Sequence, residues 1–224
     1  MPARAVVLPA TPLLVPGAGG GVDRLAEVRR AVGDALDRLL RGPGLGADGD
    51  GPLVVLAPVP RGAAGRTARL RPSLAGAGVR DGWVPDVAAW PASDLPAAHV
   101  PASVALVALR AALDRAAPGR AENPAPAPDI LVVEAAGGET VTADGAAALG
   151  AARGIVVAGG PAPGTPGATA GATTEGRPDL DPAVAAALDE VAAPGAWTWR
   201  VTAVPGGHEH LPGAYVVATG VAGP

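Results

Sequence analysis

Cysteine, phenylalanine and lysine are absent from the 224 residues, and aromatic side chains make up only 2% of them. Without cysteine there are no disulfides, no thiolate metal sites and no cysteine nucleophile. Without lysine there is no Walker A phosphate loop, because that motif needs an ammonium reaching the phosphates. With four tryptophans and one tyrosine as its only aromatics, the chain must assemble its core from valine, leucine and alanine. All 17 basic residues are arginine, and a formal charge of -4 with no long basic run leaves no electrostatic footprint for nucleic acid. The apolar run Ala5 to Leu8 stops at Pro9, far short of a signal-peptide core or a membrane span. These absences predict a soluble cytoplasmic protein with neither a nucleic-acid nor a membrane partner.

What is present is an apolar fraction of 49%, enough for a substantial core in one domain spanning residues 1–224. Val22, Leu25, Val28, Val32, Leu36, Leu39 and Leu40 recur at helical spacing, with charge on the complementary stripe. Asp34 to Arg38 and Asp37 to Arg41 are acid-before-base pairs at i,i+4, Asp23 suits the first turn, and Gly42 to Gly44 ends the helix. Val100 to Ala116, with Pro101 in its first turn, predicts a second and largely buried helix. Two more are expected at Ala143 to Arg153 and from Asp181 to Val191, the latter with an aspartate cap and Pro182 behind it.

Between these helices lie short runs that are apolar on both faces: Arg4 to Leu8, Pro52 to Ala57, Asp129 to Glu134 and Gly154 to Ala158. Such runs suit strands covered on both sides, and their alternation with helices predicts a parallel arrangement. Trp197 to Thr202 alternates at strand period and Ala214 to Val221 answers it, predicting a terminal antiparallel hairpin. The expected fold is therefore a single three-layer α/β domain, with a mostly parallel central sheet, helices on both faces and a C-terminal hairpin. Arg61 to Trp90 reads as an irregular surface excursion with room for one short strand, and 42–51, 117–128 and 159–178 read as Pro/Gly-rich loops.

In sheets of this kind ligands sit beyond the carboxyl ends of the strands. The loops at Pro9 to Gly21, Pro58 to Arg71 and Gly159 to Pro178 are accordingly the expected walls of a pocket. Ala10, Thr11, Pro12, Val59, Arg61, Arg66, Glu134, Gly159 and Gly160 are its candidate residues. Arg61, Arg66, Arg69 and Arg71 form the densest positive stretch, and guanidinium forks suit carboxylate recognition. A small acidic or aromatic ligand follows as the expected partner, with self-association into a homo-oligomer beside it. The plain alternative is a solvated arginine loop. Glu134 and Glu139 could bring carboxylates to the same edge. Gly17 to Gly21 fails the dinucleotide fingerprint because its third glycine would fall on Val22, and no Gly-x-Ser-x-Gly elbow occurs.

The order of segments resembles the LigB-like proteins of the class III extradiol ring-cleavage dioxygenase family. The resemblance rests on LPATPLLVP at Leu8 to Pro16, the helix VDRLAEVRRAVGDALDRLL, VVLAP at Val54 to Pro58, GIVVAGG at Gly154 to Gly160, DPAVAAALDEV at Asp181 to Val191 and GAYVVATG at Gly213 to Gly220. It implies an α/β sheet carrying a non-haem Fe(II) held by two histidines and a carboxylate, with open positions for a catechol and dioxygen. It places the first histidine in the strand-one loop and the second after the next strand, behind a proline. Here those places hold Ala10, after Pro9, and Val59, after Pro58. The family's acid/base histidine belongs to a later glycine-rich loop, yet Gly159 to Gly176 contains none.

The chain's three histidines are His99, His208 and His210. The expectation is a metal-free relative without ring-cleavage activity, acting in small-molecule binding or assembly. The alternative is an active Fe(II) dioxygenase with a rearranged set of His208, His210 and a carboxylate. PGGHEHLPG itself reads as a solvated hairpin loop, and His99 as a half-buried or capping residue. Ala10, Val59 and the Gly159 to Pro163 loop are expected to converge, with the histidines lying apart from them. A further alternative is an α/β protein outside this family.

Overall fold

The computed structural model describes residues 4–20, 23–42, 51–116, 130–137, 141–159, 173–192, 195–206 and 211–223. Four of the apolar runs form the parallel centre of an eight-stranded sheet: β1 (Arg4–Leu8), β2 (Leu53–Pro58), β4 (Ile130–Ala135) and β5 (Gly154–Ala158). The full order is β3-β4-β2-β5-β1-β8-β7-β6, with β3 (Arg66–Ala68), β6 (Thr173–Glu175), β7 (Trp197–Pro205) and β8 (Ala214–Ala222) all antiparallel to their neighbours. The expected α/β architecture is thus present, as a parallel core with antiparallel flanks and the predicted terminal hairpin.

Burial explains why the central runs carry no polar alternation. Leu53 to Ala57 and Ile155 to Ala158 are at 0% exposure, because each strand is covered on both faces. On one face lie α1 (Ala26–Leu40) and α3 (Val100–Ala116), which pack Val28, Leu36, Leu106 and Leu109 against Val6, Leu8 and Val55. On the other lie α4 (Ala143–Gly150) and α5 (Pro182–Val191), which close over Val7, Val54 and Val157 with Leu149, Val184 and Leu188. Two of the five aromatics lie on this second face. Trp197 and Trp199 stack with centroids 5.2 Å apart, and Gly220 opposite Trp199 is required because a Cβ there would fall 2.5 Å from the indole ring.

The helix ends follow local chemistry. Asp181 accepts the Ala183 amide at 2.9 Å, and Thr142 accepts the Gly145 amide at 3.2 Å. The first helix begins at Ala26 rather than Val22, because Asp23 turns the chain by accepting the Leu25 amide at 3.2 Å. Neither expected pair within it forms: Asp34 and Arg38 make no ion pair among the described residues, and Asp37 takes Arg115 of α3 at 3.0 Å instead of Arg41, so the carboxylate ties two helices together.

Two expectations about irregular chain are corrected. The excursion from Arg61 to Trp90 does hold one short strand, β3, but it is not a mere surface path. With the one-turn helix α2 (Pro85–Ala88), it buries Leu70, Leu74, Val84 and Val87 in the first core. Asp81 fixes it by accepting from Ser73 Oγ at 3.1 Å and from the Leu74 amide at 2.9 Å, while buried Ser103 Oγ accepts the Ser73 amide at 2.9 Å. The stretch read as a loop from Gly159 to Pro178 contains β6, an edge strand too short for its period to show. Most of that loop, and of the 42–51 and 117–128 loops, lies outside the described residues.

Candidate functional site

The parallel strands bring their carboxyl ends to one edge in the order β4, β2, β5, β1. Ala10 follows β1, Val59 follows β2 and Gly159 follows β5, so the three positions lie beyond the carboxyl ends of neighbouring strands, while the rest of the Gly159 to Pro163 loop lies outside the described residues. The Gly159 amide donates to the Leu8 carbonyl at 3.1 Å, and the Val59 amide to the Ala135 carbonyl at 3.0 Å. Gly159 has φ +113, a backbone that favours glycine, and lies against Pro58. Ala10, Thr11, Pro12 and Val59 are half-buried, and Arg61 is exposed. Gly160, Glu139, His208 and His210 lie outside the described residues.

A cavity of about 480 Å³ is lined by the first loop, from Leu13 to Gly20, together with Asp23, Arg24, Arg29 and Leu211 of the C-terminal hairpin connection. Its arginine at position 29 is already engaged. Arg29 pairs with Asp23 and donates to the Leu13 carbonyl at 3.0 Å and the Leu14 carbonyl at 3.3 Å. Burial lowers the pKa of its guanidinium from the ordinary arginine value. Glycines 17 and 20 adopt φ +84 and +81, which lets this loop turn twice within four residues.

The most developed chemistry on the edge surrounds Glu134. Its side chain is fully buried at the end of β4, in register with Arg66 of β3, so both side chains leave the sheet on the same face. Arg66 Nε donates to Glu134 Oε2 at 2.7 Å, and the backbone amide of His99 donates to Oε1 at 2.7 Å. The His99 ring places Nδ1 3.0 Å from Oε2, although off the line that a ring N–H would take for a hydrogen bond. Arg66 Nη2 reaches onward to the Ala97 carbonyl at 2.6 Å. A buried carboxylate left unpaired would cost several kcal/mol, and here a guanidinium and an amide hold it, with an imidazole alongside.

This cluster changes the reading of two groups. Glu134, without an assigned partner in sequence terms, acquires three. His99 is half-buried as expected, and its ring lies beside Glu134 at the end of β4. A half-buried imidazole backed by a fixed carboxylate can accept or donate a proton at its outer nitrogen, or hydrogen-bond a ligand there. The sequence signal was a charged residue ending an otherwise apolar strand and a histidine opening a helix, but 35 residues separate them.

The arginine stretch does not gather into one patch. Arg66 is turned to Glu134, and Arg71 Nη1 pairs with Asp81 at 3.3 Å. Arg61 and Arg69 are exposed, and Arg69 has a partner of its own. Iron fits poorly at the positions that the resemblance assigns: Ala10 offers a methyl and Val59 an isopropyl group, neither of which coordinates a metal. Among the described residues, no group of three or more histidines and carboxylates is arranged to hold a metal ion. No family model matches this chain, and neither does any curated protein or solved structure.

Proposed function

We propose that this chain is a metal-free relative of the LigB-like class III extradiol dioxygenases, binding a small molecule at the carboxyl edge without cleaving aromatic rings. One observation carries the reading: beyond the carboxyl ends of β1 and β2, the two places that the resemblance gives to histidine ligands hold Ala10 and Val59. The nearby carboxylate, Glu134, is already engaged by Arg66 and the His99 amide. Dioxygen chemistry in the family needs an electron-rich iron with free positions, and neither alkyl side chain can help to hold one. The polar equipment of the edge suits recognition instead, with the His99 ring and the amides of the first loop as donors and acceptors.

The test is to load the purified protein with Fe(II) under anaerobic conditions and measure bound metal and catechol cleavage after admitting oxygen. Substoichiometric iron and no ring-opened product are expected. Stoichiometric iron with turnover would overturn the reading. In that event the double variant His208→Ala, His210→Ala decides whether those residues hold the metal, by losing or retaining it.

A further inference from the structure

A second cavity lies at the other end of β1 from Ala10. It has a volume of about 500 Å³ and runs between α1 and the uncovered face of the β7–β8 hairpin. Its shape follows from sequence. The first helix presents small residues here, Ala31 and Ala35, where bulkier ones would close the gap onto the sheet. Val6, Val217 and Thr219 make the floor, because alternate residues of β1 and β8 face this side.

Three arginines surround that floor, Arg4 from β1, Arg38 from α1 and Arg200 from β7, against a single carboxylate, Asp34. None of these four makes a side-chain hydrogen bond or an ion pair among the described residues, in contrast to Arg66, Arg71 and Arg115. The guanidinium of Arg4 lies beside Gly42, whose missing Cβ leaves the space that it occupies. The cavity therefore combines an apolar floor with a net excess of two positive charges on its rim.

We propose that this groove binds an amphipathic carboxylate, its acyl or aryl body on the valine floor and its headgroup among Arg4, Arg38 and Arg200. Planar guanidinium forks match a carboxylate bidentately, and a volume of about 500 Å³ lies within the usual range for small-molecule sites. The site is independent of the carboxyl edge, so its failure would leave the reading of Ala10 and Val59 untouched. The probe is decanoate, titrated calorimetrically into the full chain beside decanol and decyl phosphate.

Decanoate is expected to bind at one site per chain, with uncharged decanol weaker by about tenfold or more and decyl phosphate no tighter than decanoate. The double variant Arg38→Ala, Arg200→Ala is expected to weaken decanoate by a further factor of about ten or more, with its thermal transition unchanged, since both side chains are exposed. Ala31→Leu, which narrows the groove without touching charge, is expected to weaken it as well. Equal binding of decanol, tighter binding of decyl phosphate, unaltered affinity in the double variant, or no saturable binding would each overturn the proposal.

Discussion

The two ends of β1 treat arginine in opposite ways. At the carboxyl edge, the arginines that sequence crowds between positions 61 and 71 are dispersed by folding. Arg66 neutralises the buried Glu134, and Arg71 holds Asp81. At the amino end, arginines far apart in sequence, at positions 4, 38 and 200, converge on one groove with only Asp34 among them. Local density of charge thus predicts little about where a charge is available. A guanidinium beside a buried carboxylate is structural, whereas one over an apolar floor without a partner can serve a ligand.

The comparison can be broken most decisively at Arg66. Its replacement by alanine would leave a fully buried carboxylate without its cation, and breaking such a pair costs about 3 kcal/mol, reduced from the upper range because Arg66 is itself 37% exposed. A fall in Tm of about 6–12 °C is expected in differential scanning calorimetry. Adding Glu134→Gln to that variant should recover part of the loss, because the unpaired charge is then gone; a strictly additive double variant would show that the two groups are uncoupled.

A smaller effect is expected at Tyr215, buried on the same face of β8 as the floor of the groove. Burial pushes its phenol above the ordinary value near 10, because the phenolate is poorly solvated there. The contribution to stability is intact below pH 10 and is lost as pH rises through the raised folded value. Urea midpoints measured above pH 10 should therefore fall more in the parent than in Tyr215→Phe. The smallest effect sharpens the contrast: Arg38→Ala and Arg200→Ala should each change stability by less than about 0.5 kcal/mol, since each removes an exposed group without a partner among the described residues.

Much of the fold was legible in the residues. Runs such as PLVVLA and GIVVA announce strands covered on both faces, since no polar alternation survives when both sides are buried. The helix after Asp181 announces itself through its cap and first-turn proline. β6 was not legible, being three residues long and held by main-chain pairing with β7. The buried role of Leu70 and Leu74 was hidden for a similar reason: an irregular segment has no period, and its path over the core is set by Asp81 within it and by Ser103 of α3.

By itself, then, the sequence determined the layers, the parallel core, the closing hairpin and the alkyl side chains at positions 10 and 59, because these depend on local periodicity and residue identity alone. Only the tertiary structure decided which charges are paired and which are free. His99 and Arg66 meet Glu134 through strand register and a helix start 35 residues away. Arg4, Arg38 and Arg200 meet because β1, α1 and β7 pack side by side. Pairing of charges is a short-range interaction between groups distant in sequence, so no reading along the chain could assign it.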